Sequence, residues 1–199
     1  MTDQPAADFS VKPTLTGGKV LLRPFDLDQD ADALRELLRD PEVTRLTGSH
    51  DLTGVTWSDA DEARFRDWYA TRNQQPDRLD LAAVDRATGQ CVGEAVLNDW
   101  NGPNHSCSFR TAFGPRGRDR GLGTESARLI VGYAFERLGL HRVELMVYAF
   151  NPRARRVYEK VGFVAEGVLR DVLRWDGGWV DGTVMSVLAP EWDRHHGYP

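Results

Sequence analysis

The segment Gly114-Pro-Arg-Gly-Arg-Asp-Arg-Gly-Leu-Gly-Thr124 lies between a predicted strand and a predicted helix of this 199-residue chain. Its glycines permit positive φ angles and a close approach of the backbone to a ligand. The following helix would point unpaired N–H groups, and the positive end of its dipole, back at the segment. With three arginines and a threonine hydroxyl, the segment is suited to bind a phosphate or pyrophosphate. The alternative interpretation is a solvated, arginine-rich turn.

Two common phosphate-binding patterns do not fit this segment. A nucleotide-triphosphate loop has a lysine between its last glycine and the Ser or Thr, whereas Thr124 directly follows Gly123. The dinucleotide pattern G-x-G-x-x-G requires glycine where this chain has Ser126, and the preceding strands form hairpins rather than a βαβ unit. The spacing that remains is Arg118-x-x-Gly121-x-Gly123.

Apolar periodicity on both sides of the loop predicts a fold that mixes helices and strands. After Gly121, apolar residues recur at helical spacing up to Leu138, and Asn151-Pro152 is typical of a helix start. The turn Asp176-Gly177-Gly178 predicts a hairpin. The predicted strands cover residues 19–24, 79–84, 91–97, 106–113, 143–148, 164–175 and 179–188, and the predicted helices cover 26–39, 59–74, 121–138 and 151–162.

The net charge of −5 is distributed unevenly along the chain. Residues 110–160 contain 11 basic and 5 acidic residues, a net charge of +6, whereas the remainder carries −11. The overall charge argues against a nucleic-acid-binding protein, because phosphate contacts need a basic surface. The basic third instead predicts a local anion site. The acidic regions around residues 26–32 and 59–62 could attract a cationic partner, although a solvated helix face is the default interpretation.

The remaining composition predicts a cytoplasmic protein without a membrane span, a signal peptide or a metal. Cys91 and Cys107 do not make a disulfide framework, and the polar N-terminus lacks the pattern of a signal peptide. No apolar run approaches the roughly 18 residues that a membrane span needs. The five histidines show no metal-ligand spacing.

Two motifs resemble those of the GNAT N-acetyltransferase superfamily. The spacing Arg118-x-x-Gly121-x-Gly123 resembles its acyl-coenzyme A (CoA) loop, R/Q-x-x-G-x-G/A. About 30 residues later, Asn151-Pro-Arg-Ala-Arg-Arg-Val-Tyr158-Glu-Lys-Val-Gly162-Phe163 resembles its motif N-x-x-A/S-x-x-x-Y-x-x-x-G-F. Residues 166–170 and 186–192 are similar to the ribosomal-protein (RimJ/RimL-type) branch.

The resemblance covers about residues 19–192 and implies an α+β (α/β) GNAT fold. We therefore expect a mixed, mostly antiparallel sheet of about seven strands with about four helices. The sheet should be splayed between the strand before the glycine-rich loop and the next strand. The expected organisation is a flexible N-terminal arm (1–17), a single acetyltransferase domain (18–192) and a polar tail (193–199). A homodimer is a further expectation.

The same resemblance implies acetyl-CoA as co-substrate, no metal, and a set of binding residues. Asn151 corresponds to a residue that hydrogen-bonds the pantetheine arm, which should run beside Thr111 to Phe113. Neighbouring arginines such as Arg156 could reach the 3′-phosphate or stay solvated. The expected binding residues are Thr111, Phe113, Arg118, Asp119, Arg120, Gly121, Leu122, Gly123, Thr124, Asn151 and Arg156.

For catalysis, the resemblance implies that Tyr158 donates a proton to the departing thiolate and that a backbone N–H near Phe113 binds the developing oxyanion. Two departures from the family pattern are Ala154, where some RimJ/RimL-type members have Ser, and Ser108, where Glu is frequent. The general base is therefore open. Glu94, an acid within an apolar strand, is the first candidate, although a solvent-facing residue on an alternating strand is its default interpretation. Asp99, His105 or a water chain are the alternatives.

The sequence thus predicts an N-acetyltransferase that transfers acetyl from acetyl-CoA to a primary amine. The acceptor would be a protein N-terminal amine or a small-molecule amine, including an aminoglycoside-type antibiotic. The rival hypotheses are a non-catalytic acyl-CoA-binding regulatory protein and an unrelated nucleotide-phosphate binder.

Overall fold

The computed structural model describes residues 7–49 and 57–196, in which six α-helices surround one eight-stranded sheet. The strands are β1 (Leu15–Thr16), β2 (Val20–Arg23), β3 (Leu79–Asp85), β4 (Gln90–Asn101), β5 (Ser106–Phe113), β6 (Arg142–Tyr148), β7 (Val164–Trp175) and β8 (Gly178–Leu188). The helices are α1 (Leu27–Arg39), α2 (Pro41–Thr47), α3 (Asp59–Arg72), α4 (Leu122–Glu136), α5 (Pro152–Val161) and α6 (Ala189–His196). The predicted mixed fold is confirmed.

The sheet has the order β1-β2-β3-β4-β5-β6-β8-β7. Every neighbouring pair is antiparallel except β5 and β6, which are parallel. A parallel pair needs a long crossover connection, and here α4 supplies it. The predicted hairpin between β7 and β8 turns at Asp176 and Gly177, both with positive φ (48° and 76°), as a type I′ turn requires.

Each face of the sheet is covered by a separate hydrophobic core. Helices α4, α5 and α6 pack on one face, with fully buried side chains such as Ile130 and Met185. Helices α1, α2 and α3 pack on the other face, around Leu34, Phe65 and Tyr69. We call these the α4 face and the α3 face. Among the described residues, no helix is long and apolar enough to cross a bilayer.

Three short elements were not predicted, because tertiary contacts rather than local pattern hold them. Leu15 pairs with Leu22 to form β1, and Phe9 is buried in the core, so the expected flexible arm packs on the domain from about this point. Helix α6 extends into the expected tail as far as His196, anchored by the buried Trp192. Asp40 ends α1, as expected, but its side chain also accepts the first N–H groups of α2.

Candidate active site

A cleft opens in the sheet where β5 and β6 diverge. The two strands pair only at three positions, from Ser106 with Arg142 to Ser108 with Glu144. Beyond Ser108, β5 remains paired with β4 as far as Phe113, but its other edge leaves β6. The expected splay is confirmed. It leaves a strand edge that pairs with no described strand beyond Ser108 and is suited to bind an extended ligand, as in β-strand addition.

The phosphate-loop segment leads from this open edge to the N-terminus of α4. Asp119 and Gly121 adopt positive φ angles of 58° and 82°, which turn the chain into the helix. No side chain of the described residues caps α4. The first N–H groups of the helix, on residues 122–124, precede its first intrahelical bond, which Glu125 donates to the carbonyl of Gly121 at 3.1 Å. An open, glycine-lined helix N-terminus of this kind suits a pyrophosphate.

The two loop arginines that were expected to bind the phosphates are held in ion pairs instead. Arg118 is only 10% exposed; its Nε donates to the carbonyl of Phe113 at 2.9 Å, and its terminal nitrogens pair with Asp40 at 3.2 Å and with Glu42. Arg120 pairs at 2.6 Å with Asp85, whose side chain is 2% exposed. These guanidinium groups fix the loop, so its backbone N–H groups are left as the main phosphate donors.

Glu125, which the sequence reasoning did not single out, ties the start of α4 to the sheet. Its carboxylate accepts three backbone N–H groups of the β1–β2 connection, from Gly18 at 2.9 Å and from Lys19 and Val20 at 2.8 Å each. The only local signal is an acid in the first turn of a helix, where the dipole favours it. Its partners lie more than a hundred residues away in sequence.

The second motif supplies a cap and a set of mostly exposed side chains beside the cleft. Asn151 Oδ1 accepts the N–H of Ala154 at 3.0 Å and so caps α5, while its Nδ2 donates to the carbonyl of Leu46 at 3.4 Å. Arg153 pairs with Asp119 at 3.2 Å. Arg156 is exposed and makes no ion pair with any described residue, so it is free for an anion.

Tyr158 lies on the α4 face of the sheet with its ring buried. The ring packs edge-on against Phe109 of β5 and is tilted against Phe163, with centroid distances of 6.0 Å in both cases. Its hydroxyl makes no hydrogen bond to any described residue. Burial raises the pKa of Tyr158 to about 12, which keeps it a neutral donor at physiological pH. An unpaired hydroxyl beside the open edge of β5 is available to a ligand.

Glu94 lies on the opposite, α3 face of the sheet. It pairs in register with Ala112 of β5, and the hydroxyl of Tyr69 on α3 donates to its Oε2 at 3.3 Å. Burial raises the pKa of the Glu94 carboxyl, and the charge of Arg110 and the hydrogen bond from Tyr69 oppose that rise. A carboxylate with a raised pKa is a stronger proton acceptor than an exposed one. The sequence identified Glu94 but not Tyr69, whose aromatic position in α3 indicates only packing.

The other expected site residues occupy the following places. Thr111 donates through its hydroxyl to the carbonyl of Glu94 at 2.6 Å, and Phe113 ends β5 at the loop. Asp99 is exposed, and His105 lies in the β4–β5 connection against Trp100, with ring centroids 6.1 Å apart. Among the described residues, no three His, Cys, Asp or Glu side chains form a metal cluster.

The acidic regions around 26–32 and 59–62 do not form an open acceptor site. Asp30 is 1% exposed and pairs with Arg23 at 2.7 Å. Arg35 pairs with Glu62 at 2.9 Å and with Asp32. Two of these carboxylates therefore tie α1 to its neighbours, Asp30 to β2 and Glu62 to α3.

Comparison with known proteins agrees with this geometry. The model of the acetyltransferase (GNAT) domain matches residues 19–164. The Bacillus subtilis protein named "Putative ribosomal N-acetyltransferase YdaF" is 30% identical over 168 residues, which cover 83% of this chain and 89% of that protein. "Probable N-acetyltransferase YjcK" from the same organism is 43% identical over 72 residues, 36% of this chain and 40% of its own length.

Among solved structures, spermidine N-acetyltransferase from Vibrio cholerae in complex with CoA and spermine superposes with a TM-score of 0.75. The match covers 88% of this chain and 99% of that one, at 21% identity, and therefore shows a shared fold. Because the domain model spans both motifs, the cleft and the open helix N-terminus, this chain belongs to the GNAT acetyltransferase family.

Proposed function

We propose that this protein transfers an acetyl group from acetyl-CoA directly to a primary amine. The observation that carries the proposal is the open edge of β5, which leads on one side to the uncapped N-terminus of α4 and lies beside the free hydroxyl of Tyr158. The pantetheine arm would extend along Thr111 to Phe113, and the pyrophosphate would bind the backbone N–H groups of 118–124. Asn151 and Arg156 would contact the arm and the 3′-phosphate.

In the proposed reaction the neutral amine attacks the thioester carbonyl. A C–N bond forms, the carbonyl oxygen becomes an oxyanion, and the N–H of Phe113 is the assigned donor to it. Collapse of this intermediate breaks the C–S bond, and the departing thiolate accepts a hydrogen bond from Tyr158. The nitrogen, which has gained a bond, releases one proton to solvent, and the thiolate takes up one proton, so that the step balances. The products are the amide and free CoA.

The amine must lose a proton before it attacks, because a Lys-like ammonium has a pKa of about 10.4. We assign this step to Glu94, which is half-buried on the α3 face and has a raised pKa that favours proton uptake. With these assignments the base and the thiolate donor lie on opposite faces of the sheet, on the two sides of the cleft. Acceptor and CoA would then reach the thioester from different sides.

The acceptor is proposed to be a protein N-terminal amine or a small amine. The first is supported by the name of the 30% identical relative, and the second by the spermidine enzyme that shares the fold. A cytoplasmic location is supported by two buried, unbridged cysteines, Cys91 and Cys107. A homodimer is supported by exposed apolar side chains on the β7–β8 hairpin, including Val168, Leu169 and Trp179. Light scattering measures the oligomeric state.

Calorimetry with acetyl-CoA and a thiol-release assay on a panel of amines test the proposed reaction. Micromolar binding together with CoA release is the expected result. Binding without release from any amine would instead favour the non-catalytic acyl-CoA binder. Absence of CoA binding, with binding of ATP or NAD, would contradict both.

A further inference from the structure

The α3 face of the sheet beside the cleft carries several charged side chains. Asp80, Val96 and Arg110 are register partners across β3, β4 and β5, and Glu94 belongs to the next row. Directly paired residues in antiparallel strands project to the same face. This row therefore shares the face of Tyr69 and α3, where the acceptor would approach.

Arg110 stands at the cleft itself. It lies two residues beyond Ser108, the last residue of β5 that pairs with β6. Its side chain is exposed and makes no hydrogen bond or ion pair with a described residue. Its interaction with Glu94 is electrostatic and works at longer range. Arg110 is thus a free guanidinium next to the assigned base.

Arg72, at the end of α3, is a second cation on this face, and it is buried. It is 4% exposed, its guanidinium carbon lies 3.5 Å from the centre of the Trp68 ring, and its Nε has no hydrogen-bond partner among the described residues. One terminal nitrogen donates to Gln75 at 3.2 Å. Burial lowers the pKa of Arg72, and the like charges of Arg78 and Arg110 lower it further.

The acids on this face do not balance these cations. Asp80 is already paired with Arg78, which donates to its carboxylate through two nitrogens at 2.6 and 2.8 Å. Glu94 is the remaining neighbour of opposite charge, and its burial favours the neutral form. A partly buried guanidinium with an unsatisfied N–H is costly unless an anion pairs with it. Arg72 and Arg110 therefore have no ion-pair partner among the described residues, and Arg110 lies next to the cleft.

We propose that the acceptor amine carries a carboxylate, which Arg110 and Arg72 bind on the α3 face. This inference rests on the proposed acetyl transfer and specifies its substrate class. Arginine is suited to the role because its planar fork matches a carboxylate through two parallel hydrogen bonds. A polycationic amine would instead place a second ammonium against two guanidinium groups, which is unfavourable. The substrate is thus an amino-acid-like amine, either free or at the N-terminus of an acidic peptide.

A set of amines with the same chain length and different far ends tests the proposal. The probes are 5-aminopentanoate, 5-amino-1-pentanol and 1,5-diaminopentane, with the corresponding three-carbon set, and kcat/KM is measured by CoA release. We expect the carboxylate to exceed the alcohol by about tenfold or more, and the diamine to be the poorest, as for a desolvated charge pair. The peptides Ser-Asp-Ala and Ser-Asn-Ala distinguish a peptide source from a free amino acid by the same ratio.

The Arg110→Gln variant tests whether the α3 face is the source of the preference for a carboxylate. The ratio of kcat/KM for carboxylate over alcohol should fall toward one, and any change in Glu94 cancels in that ratio. Arg64→Gln is the control, because Arg64 is 76% exposed on the same helix as Arg72 and forms only a surface pair with Asp61; it should keep the ratio. Arg72→Lys, which retains the charge but not the fork, should lower the ratio.

Two outcomes overturn the inference and are distinguishable from failure of the proposed function. If the diamine or the alcohol is used as well as the carboxylate, or if Arg110→Gln keeps the full ratio, the carboxylate assignment is wrong while acetyl transfer stands. If no amine or peptide releases CoA, the proposed function fails and this inference fails with it.

Discussion

Replacement of Tyr158 by phenylalanine removes one oxygen atom and leaves the aromatic packing in place. The ring contacts with Phe109 and Phe163 do not involve the hydroxyl, which makes no hydrogen bond to a described residue. Deleting an unpaired hydroxyl abandons no buried partner. The free energy of unfolding should therefore change by less than about 0.5 kcal/mol. Any loss of turnover would then report on chemistry rather than on folding.

The size of that loss follows from the pKa of the group. A phenol with a pKa of about 12 is a weaker acid than a thiol, whose pKa is about 8.5. Complete transfer to a free thiolate would be uphill by roughly 5 kcal/mol. Tyr158 therefore acts chiefly by donating a hydrogen bond to the developing negative charge, an interaction worth about 1.5–3 kcal/mol. The expected reduction in kcat is about 10- to 150-fold.

Three measurements on Tyr158→Phe check this reasoning. Steady-state CoA release gives kcat, calorimetry gives the Kd for acetyl-CoA, and urea denaturation gives stability. The expected result is a lower kcat with Kd and stability unchanged. A kcat within about threefold of the unmodified protein would refute the role of the hydroxyl. An equal loss of affinity for acetyl-CoA would show that the hydroxyl contributes to binding acetyl-CoA before the reaction and not to stabilising the departing thiolate.

Further substitutions test the other named groups. Glu94→Gln should lower kcat/KM about 100-fold near neutral pH. Tyr69→Phe removes a hydrogen bond that lowers the pKa of Glu94, so it should move the acidic limb of the pH profile of kcat/KM to higher pH, and an unmoved limb would contradict the assignment of Glu94. Glu125→Ala leaves three backbone N–H groups without an acceptor and should lower the free energy of unfolding, measured by urea titration, by about 2–4 kcal/mol. Glu159 is exposed and forms one surface pair, so Glu159→Ala should lower it by less than about 0.5 kcal/mol. Hydrogen bonds from the Arg142 guanidinium and the Ser186 hydroxyl lower the pKa of Glu166 in the folded protein from 4.5 to about 2. The stabilisation from these bonds is therefore present above pH 4.5 and is lost as the pH falls toward 2. Parallel curves of Tm against pH for Glu166→Gln and the unmodified protein across this range would contradict that.

The long elements of the fold could be predicted because their patterns are local. The helical period after Gly121, the Asn151 cap and the Asp176-Gly177 turn each appear where the sequence places them. The elements that were missed have no such pattern. β1 has two residues and exists only through its pairing with β2. Asp40 is the one residue between α1 and α2, so it is both the end of one helix and the N-cap of the next.

The candidate site divides in the same way. The two motifs and the family resemblance that they carry were sufficient to predict the glycine-rich start of α4 and the splay. The roles of the loop and of Tyr158 in binding and catalysis stay predictions. Side-chain partners could not be predicted, because they join residues far apart in sequence. Tyr69 and Glu94 are 25 positions apart, and Arg118 and Glu42 are 76 apart. The local sequence around one residue of such a pair does not indicate which residue is its partner.

The ion pairs of the loop arginines change how the uneven charge along the chain is interpreted. In the sequence, the basic third and the acidic remainder suggest two fields, one for a phosphate-bearing ligand and one for a cationic amine. In the folded protein, Arg118 and Arg120 are neutralised by Asp40, Glu42 and Asp85 from the acidic part. Opposite charges separated in sequence thus serve to fasten the loop to the first half of the domain. Cations without an ion-pair partner among the described residues remain at two places beside the cleft. We assign Arg156 to the 3′-phosphate, and Arg110 and Arg72 on the α3 face to an anionic group on the acceptor.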